Sequence, residues 1–330
     1  MQKTRVGVIG IGSLGGLHAK LYKEVPGAEL IGVYDLDSSR AENIAAALNC
    51  QNFVSAEALF DRIEAVNIVT PTTAHHALAR AALNCGKHVF IEKPITKTVA
   101  EADDLIALAE KKERLIQVGH IERFNAAMRA VNGLSLQPVF IESQRLAPFN
   151  SRGTDVDVVL DLMIHDLDLI LNFTRSPVQK IDASGAAVVS RTHDVANARI
   201  TFENGCVANI TASRIALKKR RKMRLFEKDG YTTLDFLSGK SERLILQRNQ
   251  NLSDSSQQKL LGSLEGETTK FVVRERLSAE PGNALLMELQ AFIRSIRENR
   301  APIVSAKAGR DALAIASRIS HLISKSLPSN

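Results

Sequence analysis

The sequence predicts two domains in series: an α/β domain built on a parallel sheet, then an α+β domain with a largely antiparallel one. Three observations carry this. Over the first 120 residues, short apolar runs alternate with helix-like stretches. A G-x-G-x-x-G pattern follows the first of those runs. Beyond residue 120, strand-like segments crowd together with Asn204-Gly205 between two of them, a hairpin signal.

In order, the apolar runs fall at residues 5–9, 30–34, 65–69, 88–91 and 115–118. They are apolar almost throughout, as strands covered on both faces must be. Between them, residues 14–23, 39–48, 74–84 and 99–112 have helical spacing. Strand–helix alternation of this kind implies a parallel sheet. The second half reads as a helix at 124–131, a strand at 139–145 and a helix at 160–173. Strands follow at 197–202, 206–214, 222–227 and 231–236. Residues 249–269 are polar and rich in Gln and Ser, and read as a long excursion between strands. Two amphipathic helices, 284–298 and 306–324, close the chain. The domains are placed at 1–122 and 123–330.

The composition fits this architecture. The chain has 330 residues, 45% of them apolar and 24% charged, which excludes a disordered or collagen-like protein. With no Trp, aliphatic side chains must fill the core. A net charge of +7 suits anionic ligands without choosing among them. Cys50, Cys85 and Cys206 are odd in number and lack C-x-x-C spacing, so neither a disulfide framework nor a cysteine zinc site is expected. No apolar run reaches the roughly 18 residues of a membrane span, and none suits a signal peptide. The expectation is a cytoplasmic protein without membrane partners.

The first chemical feature is Gly10-Ile11-Gly12-Ser13-Leu14-Gly15. The first glycine permits a tight turn and the second lets the backbone approach a pyrophosphate. The third permits close helix–strand packing. Gly10, Gly12, Ser13, Leu14 and Gly15 are therefore candidate cofactor contacts. Asp35 ends the second strand, 20 residues after Gly15. An acid there accepts from ribose hydroxyls and repels the extra phosphate of NADP. Leu36 follows it, so NAD is favoured over NADP, with Arg40 nearby as the residue that argues the other way. Asp35 also has a turn or helix-cap reading; Asp37 is the better cap.

These residues, with Glu92-Lys93-Pro94 after the fourth apolar run, resemble the Gfo/Idh/MocA oxidoreductases. The resemblance covers the whole chain. Thr70-Pro71-Thr72 with His75 resembles that family's loop after its fourth strand, and Asp161-Leu162-Met163-Ile164-His165 its D-x-x-x-H pair. The resemblance implies a Rossmann domain, a second domain with an open antiparallel sheet, and NAD(P)-dependent hydride transfer at a sugar or polyol carbon. It adds Thr70, Pro71, His75, Glu92 and Lys93 to the candidate cofactor contacts. It names Lys93, Asp161 and His165 as catalytic candidates that also contact substrate.

Their chemistry is suitable. Removing hydride from a secondary alcohol requires a base within reach of the hydroxyl proton. A lysine beside the reacting oxygen stabilises a developing alkoxide. His165 titrates near neutrality. Asp161 precedes it by four residues, so both share a helical face. Asp168 lies on that face one turn on, and Asp166 is expected to face away. Helical spacing of Asp161 and His165 could also hold an ion, but no third ligand is apparent and no metal is expected.

Residues 119–125, Gly-His-Ile-Glu-Arg-Phe-Asn, resemble the branch of that family that oxidises the 3-hydroxyl of UDP-N-acetylglucosamine to a ketone. His120, Arg123 and Asn125 become candidate substrate contacts, and the substrate is expected to be a nucleotide sugar. The alternatives are a free sugar or inositol-like polyol, and a non-catalytic dinucleotide sensor. The basic run Lys218 to Lys222 admits a pyrophosphate site or a charged surface strand, since alternation sends only half its cations to one face. Nucleic acid is not expected, with no recognised motif and few aromatics. The resemblance also implies a homo-oligomer, dimer or tetramer, formed on the open sheet face.

Overall fold

The strand predicted at 5–9 is Thr4–Ile9 (β1) in the structure, a computed structural model that describes residues 2–150, 156–248, 258–264 and 269–326. Two units emerge from the chain's contacts: Met1–Phe124 with Gly282–Ala314, and Asn125–Pro281 with Ile315–Asn330.

In the first unit, β1 is joined by Ala28–Tyr34 (β2), Gln51–Asn52 (β3), Ala65–Ile68 (β4), His88–Glu92 (β5) and Ile116–Gly119 (β6). The sheet runs β3-β2-β1-β4-β5-β6, every pair parallel. All four residues of β4 are buried, which explains its wholly apolar run apart from Asn67. The helices are Ser13–Tyr22 (α1), Ser38–Leu48 (α2), Ala56–Phe60 (α3), Thr72–Asn84 (α4) and Val99–Lys111 (α5). Asp37 caps α2 by accepting from Arg40 N–H, and Thr98 with Glu101 forms a capping box on α5. Short elements leave no periodicity, and β3 and α3 had none to read.

The strand order reverses between β1 and β4. Loops leaving β1, β4 and β5 therefore open on one carboxyl edge, where an open parallel sheet holds its ligand.

One boundary expectation is corrected. The chain beyond residue 122 does not all fold as one domain, because Ala284–Glu298 (α8) belongs to the first unit. Its Leu285, Leu289, Phe292 and Ile293 bury against Val6, Tyr22 and Phe90. Each such side chain contributes about 1.5–3 kcal/mol on burial. Asn283 caps α8 through the N–H groups of Leu285 and Leu286.

The second unit holds Ala126–Arg129 (α6), Phe140–Leu146 (β7), Ile164–Thr174 (α7), Val178–Ala186 (β8), Val195–Phe202 (β9) and Val207–Ser213 (β10). Arg220–Glu227 (β11), Gly230–Asp235 (β12), Lys240–Gln247 (β13), Gln258–Leu264 (β14) and Lys270–Leu277 (β15) complete its sheet. The order is β14-β15-β13-β12-β11-β7-β10-β9-β8. Neighbours are antiparallel except β7 and β10. Gly205, at φ +84°, makes the turn between β9 and β10 as Asn204-Gly205 suggested. The excursion read at 249–269 is partly a strand, β14; residues 249–257 and 265–268 lie outside the described residues. The last helix, Ala306–Ser326 (α9), is shared between the units.

All five cations of the basic run, Lys218 to Lys222, are exposed, and alternation between buried and exposed positions begins only at Met223. Met223 and Leu225 are buried, while Arg220, Lys222 and Arg224 meet Gln144, Asp235 and Glu142 on the exposed face. That face is a ladder of cross-strand polar pairs with an aromatic end, Phe140, Phe226 and Tyr231.

Candidate active site

The first unit presents its candidates on the carboxyl edge of the sheet. β1 ends at Ile9, and Gly10 turns the chain with φ +87°. A Cβ on Gly15 would stand 1.7 Å from Gly10 O, so only glycine lets α1 pack this close. Gly12 is the N-cap of α1 and supplies no capping side chain. A Cβ there would meet nothing within 4 Å. The first turn of α1 thus offers N–H groups and the positive end of its dipole to open space. Beside it, Ile11, Gly12, Ser13, Gly16, Arg40 and Ile44 line part of a cavity of about 450 Å³. Leu14 lies exposed on α1.

Asp35 lies at the end of β2, but its carboxylate is already engaged. Oδ2 accepts from Ile11 N–H at 2.5 Å and Oδ1 from Asp37 N–H at 2.9 Å. Arg40 stands 3.6 Å from Asp35 and 3.0 Å from Asp37. Asp35 ties the glycine loop to β2, and its remaining lone pairs are free to accept further bonds.

After β4, Thr70 sits against the glycine turn; a Cβ on Gly10 would meet its Cγ2 at 2.8 Å. Thr70 Oγ1 is buried and has no hydrogen-bond partner. An orphaned hydroxyl and an open helix N-terminus on one sheet edge fit a bound dinucleotide. Gly12, Ser13, Asp35 and Thr70 would hold it, and it would supply the hydride acceptor.

His75 corrects an expectation. It is buried on α4, with Nδ1 2.9 Å from Pro94 O and Nε2 2.9 Å from Thr70 O. Burial holds its pKa below the ordinary value. Its place is a clamp between two loops of the edge, not a wall that a ligand touches. Pro71, its neighbour in the motif, is exposed as the N-cap of α4. Glu92 ends β5, and its carboxylate accepts from Lys93 N–H at 3.2 Å. Lys93 is half-buried at the turn that follows.

In the second unit, Asp161 sits in a π-helical segment, Val159–Met163, that runs directly into α7. Such turns concentrate at functional sites. Asp161 and His165 both remain half-exposed. Asp166, expected to face away from Asp161 and His165, is buried in a two-bonded ion pair with Arg145, both N···O distances 2.9 Å. The sequence held no signal for Arg145. Asp168 is also buried. Asp157, at the start of the segment, pairs with His193 at 3.1 Å and accepts from Val159 N–H.

Of the candidates at 120–125, His120 is fully buried and Arg123 half-exposed. Asn125 holds two backbone groups: Oδ1 caps Ala127 N–H at 3.0 Å and Nδ2 donates to Phe236 O at 3.1 Å. An amide carries a second N–H and a second lone pair, so these two bonds do not exclude a ligand. Among the described residues, no group of three or more His, Cys, Asp or Glu could hold a metal ion. Among them, no helix is long and apolar enough to cross a membrane.

Comparison with known proteins agrees with this edge. Residues 4–120 match the family described as an oxidoreductase family with an NAD-binding Rossmann fold. Residues 117–232 match the Gfo/Idh/MocA C-terminal domain. UDP-N-acetylglucosamine 3-dehydrogenase of Acidithiobacillus ferrooxidans is 38% identical over 320 residues, 97% of each chain. The chain belongs to the Gfo/Idh/MocA oxidoreductases. A solved structure of that Acidithiobacillus enzyme superposes with a TM-score of 0.87 at 35% identity, over 98% of this chain and 99% of the other. The myo-inositol 2-dehydrogenase of Thermotoga maritima is 26% identical over 94% of this chain and 93% of its own. The scyllo-inositol dehydrogenase of Lactobacillus casei, solved with NAD(H) and scyllo-inositol, shares the fold with a TM-score of 0.77 at 21% identity, over 98% of each chain. As a Gfo/Idh/MocA member, this chain is an oxidoreductase that uses a nicotinamide dinucleotide.

Proposed function

We propose that this enzyme oxidises the 3-hydroxyl of a UDP-N-acetylhexosamine to a 3-keto sugar, with NAD as hydride acceptor. The observation that carries the reading is the 38% identity to a UDP-N-acetylglucosamine 3-dehydrogenase across 97% of both chains. The myo-inositol 2-dehydrogenase of Thermotoga maritima matches over comparable length at only 26% identity, which favours the free-polyol reading less.

Bound NAD would accept hydride from C3 of the sugar. The hydroxyl proton must leave with it, and we assign that proton to His165. Lys93 stabilises the developing alkoxide by its charge. Asp161 orients His165 or holds a neighbouring hydroxyl. Arg123 is assigned to the sugar nucleotide, and Glu92 and Pro71 to the cofactor edge. NAD is preferred because a 2′-phosphate at β2 would meet the carboxylates of Asp35 and Asp37. Their combined charge exceeds the single cation of Arg40. We also assign the chain to a homo-oligomer formed on the paired face of its large sheet, to be read by light scattering.

The decisive experiment mixes purified protein with UDP-N-acetylglucosamine and NAD and follows reduced nicotinamide. A matched aminotransferase with glutamate removes the ketone, because the oxidation is uphill near neutral pH. Turnover that vanishes in Lys93→Ala, with NAD still bound, supports both the substrate and the lysine. Absence of turnover despite NAD binding moves the assignment to free polyols.

A further inference from the structure

Beneath the turn that carries Lys93 runs a buried chain of polar side chains. It begins at Tyr22 on α1, whose hydroxyl donates to Asn67 Oδ1 on β4 at 2.6 Å. With its amide oxygen so used, Asn67 turns Nδ2 toward His18 Nδ1 at 3.0 Å. An amide nitrogen only donates, so His18 Nδ1 accepts and the ring proton resides on Nε2. That nitrogen lies 3.2 Å from Glu92 Oε1, close although off the ideal hydrogen-bond line. The other carboxylate oxygen, Oε2, accepts from Lys93 N–H at 3.2 Å. His18 and Asn67 are fully buried, and Tyr22 nearly so.

An apolar core would fill this space at less desolvation cost. The proposed chemistry uses neither His18, Asn67 nor Tyr22. What the chain does accomplish is orientation. Tyr22 sets the sense of the Asn67 amide, Asn67 sets that of the His18 ring, and the ring nitrogen left with its proton faces the carboxylate that accepts from the main chain of Lys93. Gly119 closes the far side, where a Cβ would stand 2.8 Å from the Glu92 carboxylate.

We propose that His18 is a positioning residue for turnover: as a neutral Nε2–H imidazole it holds the Glu92 carboxylate, which fixes the main chain from which Lys93 projects. The inference rests on the assignment of Lys93 to catalysis. The opposing reading is that His18 merely packs, and it does lie edge-on to Phe90 with ring centroids 5.4 Å apart.

The test compares His18→Leu, His18→Gln, Tyr22→Phe and Lys93→Met in the full chain. Each is assayed on whichever secondary alcohol, UDP-N-acetylglucosamine or myo-inositol, the wild type oxidises. Gln keeps an N–H at the reach of Nε2; Leu does not. His18→Leu is expected to lower kcat on the order of 10- to 100-fold with sugar KM unchanged, the size of a misplaced catalytic group. His18→Gln should restore most of that loss, and Tyr22→Phe should show a smaller loss of the same kind. Kinetic constants are taken per folded molecule, from thermal unfolding of each variant. Nitrogen-15 NMR of the histidines should show a neutral Nε2–H ring at His18, a readout independent of activity.

Wild-type kcat in folded His18→Leu overturns the proposal, as does a His18→Gln variant no better than Leu, or an Nδ1–H or doubly protonated ring. Should His18→Leu fail to fold, undiminished kcat in Tyr22→Phe overturns it instead. Full turnover by Lys93→Met refutes the lysine assignment and the positioning role with it. An inactive Lys93→Met beside a fully active His18→Leu refutes only the latter.

Discussion

The carboxylate of Asp35 accepts the main-chain N–H of Ile11 at 2.5 Å, tying the end of β2 to the glycine loop across 24 residues of chain. The acid expected to read the ribose therefore also shapes the loop that reads the pyrophosphate. Asp35→Ala should weaken NADH binding about 10- to 100-fold, the worth of one charged hydrogen bond. Asp35→Asn removes the charge that opposes a 2′-phosphate and leaves Arg40 facing it. Its ratio of NADP to NAD affinity should rise. Fluorescence titration with NADH and NADPH measures both; an unchanged ratio would argue against Asp35 as the discriminator.

Two glycines of that loop should fail differently. Gly12 has a backbone that alanine adopts and open space at its Cβ. Gly12→Ala should keep the wild-type melting temperature and lose at least about 10-fold in NADH affinity, because the methyl occupies the space the pyrophosphate approaches through. Gly15→Ala drives a Cβ to 1.7 Å from Gly10 O and should fold poorly. Scanning fluorimetry beside the titration separates the two.

The ion pair of Arg145 and Asp166 is buried on both sides, with side chains 3% and 2% exposed. Removing one partner leaves a buried charge behind. Asp166→Ala should cost about 3–5 kcal/mol in urea unfolding, whereas the double replacement Arg145→Met, Asp166→Leu should recover most of it. A single variant as stable as wild type would show the pair to be solvated.

His88 accepts from Leu115 N–H through Nδ1 at 3.1 Å, which requires the neutral ring. Burial, with Arg114 nearby, pushes its pKa down to about 4. Below the ordinary histidine pKa near 6.5 the unfolded chain takes up a proton that the folded chain refuses. Stability should fall as pH drops from about 6.5 to 4 and lose nothing more from this group below that. His88→Asn keeps an acceptor and cannot titrate, so its stability curve should be flatter across that window in denaturant titrations at stepped pH.

The parallel sheet, the glycine loop and the turn at Lys93 were legible because each writes a local signature. Strands covered on both faces must be apolar, and a tight turn against a helix needs glycine. The ends of α8, predicted at 284–298, were equally plain, since Asn283 caps one end and Asn299 takes the left-handed conformation at the other. Strands β8, β13, β14 and β15 were not foreseen. Their residues mix polar and apolar on half-solvated faces, so alternation is weak.

The sequence by itself determined the main elements of the parallel sheet and offered the candidates for proton chemistry, because propensity, capping and spacing act within a few residues. Tertiary structure alone decided where α8 docks, 150 residues or more from the core it completes. It alone turned Asp166 inward to Arg145 and committed Asn125 to a helix cap. It alone joined Tyr22, Asn67, His18 and Glu92 into one buried chain. Those outcomes rest on pairing between distant segments. A buried donor must find an acceptor wherever the fold brings one, and that partner leaves no mark in the local pattern.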